Sequence, residues 1–223
     1  MNKNFFLKFD VRRVGLKDIE ELSEFVFNYY TKRNPLGQIF RVKESELWRH
    51  DVARMKTELA HNCSLGFYEK NEGKLGAVAF SKIIDKSNEL TKQTCGKPTN
   101  CSPELIAMKT FDAWMRRDIC KTLNTNKFMM RGFAAVHTNF AGYGISAQAI
   151  RALEALAFQN GCDYTVGLLT SRYSQDINKK FLGYKVLRDL NYSEYFDPNT
   201  GLKPDLDLSS PHMKAQLTVC CLK

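Results

Sequence analysis

No stretch of this 223-residue sequence approaches the eighteen or so consecutive apolar residues of a transmembrane helix. The opening residues, MNKNFFLKFDVRR, have neither the long apolar core nor the small-residue cleavage site of a secretory signal. A cytoplasmic or nuclear protein with no membrane partner is therefore expected. Paired cysteines are also lacking. The seven present (Cys63, Cys95, Cys101, Cys120, Cys162, Cys220 and Cys221) are an odd number and sit mostly singly in apolar runs, as reduced core thiols do. Cys95 and Cys101 have no second pair to complete a zinc set, so no metal is expected. There is no polybasic run, no aromatic-rich nucleic-acid motif and no internal repeat. The net charge of +9 is spread along the whole chain, which fits a solvated basic surface better than a nucleic-acid interface.

What is present is enough apolar material, 43% of residues, for one sizeable core, read as a single domain over 1–223. Alternating apolar residues predict a strand over 5–15. Ile19, Leu22, Val26 and Tyr30 then fall at helical spacing, and Pro35 stops that helix. A second helix over 45–60 turns Leu47, Val52, Met55 and Leu59 inward. CSLGFYEK and LGAVAFSKII flank Asn71-Glu72-Gly73-Lys74 as a hairpin, with the N-terminal strand among its partners. Residues 85–103 are polar, with Gly and Pro, and read as a flexible loop insert. Pro103 opens a long helix. A strand at 127–138, a helix at 146–161 and a buried strand at 164–170 follow. A short helix around SQDINKKFLG, an extended stretch YKVLRDLNYSEYF and a last strand AQLTVCCLK complete the chain. This order predicts a mixed α/β fold, its sheet mainly antiparallel with one parallel βαβ unit.

Within that unit, residues 135–158 read AVHTNFAGYGISAQAIRALEALAF. The apolar strand breaks at Gly142 and Gly144 and passes into a helix with no polar linker. Such a junction presents free backbone N–H groups at a helix N-terminus, which suits a phosphate. Gly142 to Ala147 also fits the dinucleotide pattern G-x-G-x-x-A, but the next strand ends in Thr170-Ser171 where that motif needs an acidic residue, and no repeated βαβ units precede it. A purely structural alternative is that the glycines let helix and strand pack closely.

The stretch Val136-His137-Thr138-Asn139-Phe140-Ala141-Gly142-Tyr143-Gly144-Ile145-Ser146 resembles the acetyl-CoA motif of GNAT-superfamily N-acetyltransferases: a strand, then (Gln/Arg)-x-x-Gly-x-(Gly/Ala), then a helix. The element order is also similar. The resemblance implies that acetyl-CoA is the cofactor. Ala134, Ala135 and Val136 would be the strand edge that pairs with its pantetheine arm, and Ala141, Gly142, Tyr143, Gly144, Ile145 and Ser146 the turn that holds its pyrophosphate. Asn139 stands where Gln or Arg is usual, and Ala141 where Arg or Lys often is. Thr170-Ser171-Arg172-Tyr173-Ser174, Leu182-Gly183-Tyr184, Tyr192-Ser193-Glu194-Tyr195 and Pro211-His212 narrow the likeness to the arylalkylamine (dopamine-type) N-acetyltransferases of insects and their nematode relatives. Tyr29-Tyr30-Thr31-Lys32-Arg33-Asn34-Pro35-Leu36 resembles that group's D-E-P-L segment.

The resemblance implies acetyl transfer to a small primary amine by direct attack on the thioester. Ser171 and Ser174 match the serines that assist in that group. Asn34 stands where it has its glutamate, and an amide orients water but accepts no proton. The vertebrate solution, two histidines on the central strand, is absent, with Met130 and Gly132 in those places, and Lys179 replaces the tyrosine many GNAT enzymes use as general acid. His137, Glu44 and Glu46 could serve as substitute bases or be structural or solvated side chains, and His137 is a candidate catalytic residue. A non-catalytic acyl-CoA-binding protein is the alternative function, and a nucleotide-dependent oxidoreductase a third. Phe27, Tyr29, Tyr30, Phe40 and Trp48 could line an amine pocket or simply form core. A monomer or weak dimer is expected.

Overall fold

The computed structural model describes residues 8–85, 101–206 and 210–222. Its centre is a seven-stranded sheet in the order β1-β2-β3-β4-β5-β7-β6. The strands are β1 (Phe9–Val14), β2 (Ser64–Glu69), β3 (Leu75–Asp85), β4 (Lys127–Val136), β5 (Tyr164–Leu169), β6 (Lys185–Asn191) and β7 (Lys214–Cys221). Only β4 and β5 run parallel; every other neighbouring pair is antiparallel. The helices are α1 (Ile19–Tyr29), α2 (Pro35–Ile39), α3 (Glu44–Leu59), α4 (Pro103–Arg116), α5 (Ile119–Leu123), α6 (Ile145–Gln159) and α7 (Arg172–Ile177), the last running into one π-helical turn at Asn178–Leu182. Among the described residues no helix is long and apolar enough to cross a membrane.

The mixed α/β reading and its single parallel unit match this architecture, as does the pairing of the N-terminal strand with the hairpin. The expected insert at 85–103 lies, over 86–100, outside the described residues. Pro35 does more than end a helix. It opens α2, because a proline at the first helical position gives up no needed N–H and Asn34 supplies the cap. The expected strand 127–138 ends at Val136. His137 and Thr138 already belong to the following turn, where the Asn139 amide donates to His137 Nδ1 at 3.1 Å.

Helices cover both faces of the sheet. On one, α1 and α3 bury Leu22, Val26, Met55 and Leu59 against Val78, Phe80, Phe133 and Ala135, while α2 and α4 bury Leu36, Met108, Phe111 and Met115 against Phe128, Met130 and Val166. On the other, α6 buries Ile145, Ala149, Leu153 and Leu156 against Phe67, Ala79 and Met129. A strict two-residue alternation would send Phe133 and Ala135 to the face opposite Phe128 and Met130. A register shift in the β3–β4 ladder prevents that. Ala79 pairs with Ala134 and Ser81 with Arg131, so Gly132 and Phe133 together face Phe80, and the extra residue resets the alternation. Phe133 then stacks on Phe80 and on Tyr30, with ring centroids 4.5 and 4.3 Å apart.

The face of α3 that meets the sheet is not purely apolar. Asp51 and Glu58 are buried beside Met55 and Leu59, and Arg54 Nε donates to Glu58 Oε1 at 3.1 Å. Asp51 Oδ2 accepts from the Thr31 hydroxyl at 2.9 Å. Burial pushes the Asp51 carboxyl up to about 6, against the opposing pull of Arg54 and Thr31. Within α4, Arg116 donates to Asp112 at 2.9 Å.

Two substitutions test this packing. Asn34 Oδ1 accepts from the amides of Leu36 and Gly37 at 3.1 and 3.3 Å, so Asn34→Ala should cost about 1 kcal/mol in chemical denaturation. For Asp51, the folded state favours the neutral carboxyl. Its contribution is therefore full below the unfolded value near 4 and is lost as pH rises through about 6. Asp51→Asn removes that loss, so its stability relative to the parent should improve by up to about 3 kcal/mol between about pH 4 and pH 7. A pH-independent difference between the two proteins would contradict the burial argument.

Candidate active site

The site begins where β4 loses a neighbour. Its pairing with β5 runs from Phe128–Tyr164 to Arg131–Gly167 and stops there, while pairing with β3 continues to Ala77–Val136. The residues from Gly132 to Val136 are thus held on one side only. Ala134 is exposed, Val136 half-buried and Ala135 buried in the core under α1 and α3. An unpaired strand edge of this kind can take an extended ligand by main-chain hydrogen bonds.

The Arg131 side chain marks the point where this pairing ends. The Arg131 guanidinium crosses to β5 and fills the space above Gly167, where a Cβ would overlap it. There it donates to Asn178 Oδ1 at 2.9 Å and lies 4.3 Å from the Tyr184 ring centroid. Burial pulls the Arg131 pKa down from its ordinary value, with Tyr184 and Glu154 opposing. Tyr184 in turn donates to Glu154 Oε1 at 2.6 Å, which ties the end of the π-helical turn to α6.

At the far end of the unpaired edge, the chain turns through Ala141 to Gly144, all exposed, and enters α6. Gly142 and Gly144 adopt φ of +83° and +77°, a left-handed conformation that disfavours side chains. A Cβ built on either meets nothing within 4 Å. Close helix–strand packing is therefore not the reason for these glycines; they shape a turn that fronts open space. Gly144 caps α6 without a side-chain acceptor, and the first intrahelical bond runs from Gln148 N–H to Gly144 C=O. The N–H groups of Ile145, Ser146 and Ala147 thus have no acceptor within the helix. Lys8 lies 5.2 Å from the Tyr143 ring centroid and brings a cation to the turn, which the side chain at Ala141 does not.

The segments that carried the narrower resemblance converge at the end of β5. Ser171 caps α7, accepting from Ser174 N–H at 3.2 Å, and the two hydroxyls are 3.0 Å apart. Tyr192 donates to the Thr170 carbonyl at 2.9 Å, and the Arg172 amide donates to His212 Nδ1 at 3.3 Å. Among the described residues no hydrogen bond joins these serines to Asn34 or His137. Asn34 is buried as the cap of α2. His137 packs against Tyr29, with ring centroids 4.6 Å apart, and lines an open groove with Phe25, Asn28 and Leu75. Glu46 Oε1 accepts from the Ser102 amide at 3.0 Å, a tie to the start of α4, and Glu44 is exposed in the first turn of α3. Of the aromatic set, Phe40 is core, while Tyr30 packs onto β4 through Phe133.

Sequence reasoning missed the buried ionic residues of α3. Their signal was available: Asp51 and Glu58 fall on the same helical stripe as Leu47 and Met55.

No protein-family model matches the chain, and no curated protein matches it either. Solved structures do match. A mosquito arylalkylamine N-acetyltransferase (like 5b) gives a TM-score of 0.81 at 16% identity, over 96% of this chain and 99% of that one. The Drosophila melanogaster polyamine N-acetyltransferase, an enzyme that forms N-acetylagmatine, gives 0.77 at 17% identity over 96% and 99%. Arabidopsis thaliana NAA60 in complex with acetyl-CoA gives 0.51 at 12% identity over 96% and 99%. At these identities the likeness is one of fold: the chain has the GNAT fold, and the structures it is similar to are arylalkylamine N-acetyltransferases and other acetyltransferases of that fold.

Proposed function

We propose that this chain transfers an acetyl group from acetyl-CoA to a small primary amine. The observation that carries the reading is the end of β4–β5 pairing at Arg131–Gly167, with the uncapped N-terminus of α6 at the far end of the same cleft. The residues fit the cofactor chemically. The free edge from Ala134 to Val136 matches the amides of a pantetheine arm, and the turn from Ala141 to Ser146 offers main-chain donors and a helix dipole to a diphosphate. Bound there, acetyl-CoA supplies the acetyl group as an activated thioester. The chain contributes position, which alone is worth several kcal/mol of barrier, and a β4 amide near Val136 as donor to the developing oxyanion. Ser171 and Ser174 are candidates to hold a proton for the departing thiolate. The acceptor class is drawn from the structural neighbours, an arylalkylamine and a polyamine N-acetyltransferase.

A second reading, an acyl-CoA-binding protein without chemistry, draws on Asn34. It stands at the position of the resembling group's glutamate, and its Oδ1 is committed to two backbone amides of α2. Thiol release on mixing the protein with acetyl-CoA and either tyramine or agmatine separates the two, because only a transferase frees CoA.

Gly144→Val tests the cofactor reading. The new side chain enters empty space, so the protein should fold with a strain of about 1–2 kcal/mol from the left-handed backbone. Calorimetric affinity for acetyl-CoA should fall at least about tenfold, since the same space is needed by the diphosphate. Unchanged affinity in a folded variant would remove the glycine turn from the site.

A further inference from the structure

Asn34 accepts no proton and His137 packs against Tyr29 with no hydrogen bond to Ser171 or Ser174 among the described residues, and the structure offers another base at an unexpected place. Gly132 sits in the β4 bulge, at the residue where pairing with β5 has just ended. The space that a side chain at 132 would take is filled from α3: a Cβ there would overlap both carboxylate oxygens of Glu58. Glu58 is 3% exposed, and its Oε1 accepts from Arg54 Nε at 3.1 Å. Its Oε2 is buried with no hydrogen-bond partner, which is costly for a carboxylate unless something else uses that oxygen. Gly132 itself is half-buried, so the carboxylate lies just beneath a part of β4 open to the cleft.

Resting on the transferase reading, we propose that Glu58 is the catalytic base, its free Oε2 reaching past Gly132 to the amine that attacks the thioester. The step balances without further reagents. A neutral amine nitrogen bonds to the thioester carbonyl carbon, Glu58 Oε2 takes the proton that the nitrogen sheds, the C–S bond breaks, and that proton passes on to the CoA thiolate. The products are an N-acetyl amine and free CoA. The charges facing Glu58 suit this cycle. Arg54 on its own helix and Lys82 on β3 bring positive charge to it, while Asp51, Tyr30 and Cys63 lie close enough to interact with it. Arg54 is itself placed by its position over the Phe133 ring, 5.0 Å from the centroid. The glycine at 132 is then required by the carboxylate that replaces its side chain.

The test compares Glu58→Gln with the parent, using tyramine and agmatine as acceptors. Turnover should fall about 10²- to 10⁴-fold, the acid-side decline of the parent's pH–rate profile should vanish, and calorimetric affinity for acetyl-CoA should stay within about twofold. Glu58→Asp withdraws the carboxylate by one methylene, so it should lose less activity and keep the acid-side decline. Thermal melting checks that each variant folds. Should neither fold, the parent alone decides: the ionisation behind its acid-side decline should show almost no temperature dependence, as a carboxyl does, and the strong dependence of an imidazole would overturn the proposal. Glu58→Gln turning over within about threefold of the parent would also overturn it, as would a parent that binds acetyl-CoA yet acetylates neither amine. That last result leaves the cofactor site intact, whereas absence of acetyl-CoA binding removes the transferase reading itself.

Discussion

The candidate site depends on a parallel strand pair that stops pairing while both strands continue. β4 and β5 share hydrogen bonds only up to Arg131 and Gly167, after which β4 is held by β3 alone. Pairing to the end of β4 would leave no edge, and the turn before α6 would face another strand instead of solvent. The separation coincides with a local irregularity. A bulge at Gly132 and Phe133 adds a residue to β4 at the point where the pairing with β5 ends. The bulge also keeps Phe133 and Ala135 on the same helical face as Phe128 and Met130, so one irregularity sits where the cleft opens and preserves the core.

Beneath that irregularity lies a set of buried and partly buried charges that an apolar core would not need. Asp51 and Glu58 on α3 are buried, and Arg54 on the same helix and Asp112 and Arg116 on α4 are partly buried. Burying such groups costs stability even when they are paired, and two of their oxygens, Asp51 Oδ1 and Glu58 Oε2, have no partner. The raised pKa of Asp51 expresses the same cost. Unpaired buried carboxylate oxygens next to the point where two strands separate are more simply explained by chemistry than by folding.

Much of this was legible in the chain. The β-α order, the hairpin around Asn71–Lys74 and the glycine turn before residue 145 follow from hydrophobic period and turn residues, which act locally. The resemblance carried by Thr170–Ser174, Tyr192 and His212 located residues that the fold does gather at the end of β5. The bulge at Gly132 was not legible, because a lone glycine in a strand signals an irregularity without saying what fills it. Nor was the cap role of Asn34, which depends on Pro35 starting a helix instead of only ending one. The burial of Asp51 and Glu58 was overlooked for a similar reason. Carboxylates on an amphipathic helix are ordinarily assigned to solvent, although their place on the Leu47–Met55 stripe points inward, as the packing of α3 against β3 and β4 shows.

The central claim is that the edge of β4 and the start of α6 form one cleft that takes acetyl-CoA along its length. Backbone amide resonances followed by NMR during an acetyl-CoA titration test it most directly. The account predicts that the largest shifts fall together on Gly132–Val136 and Gly142–Ala147, at the two ends of that cleft. Saturable binding whose shifts leave both segments unmoved would contradict it.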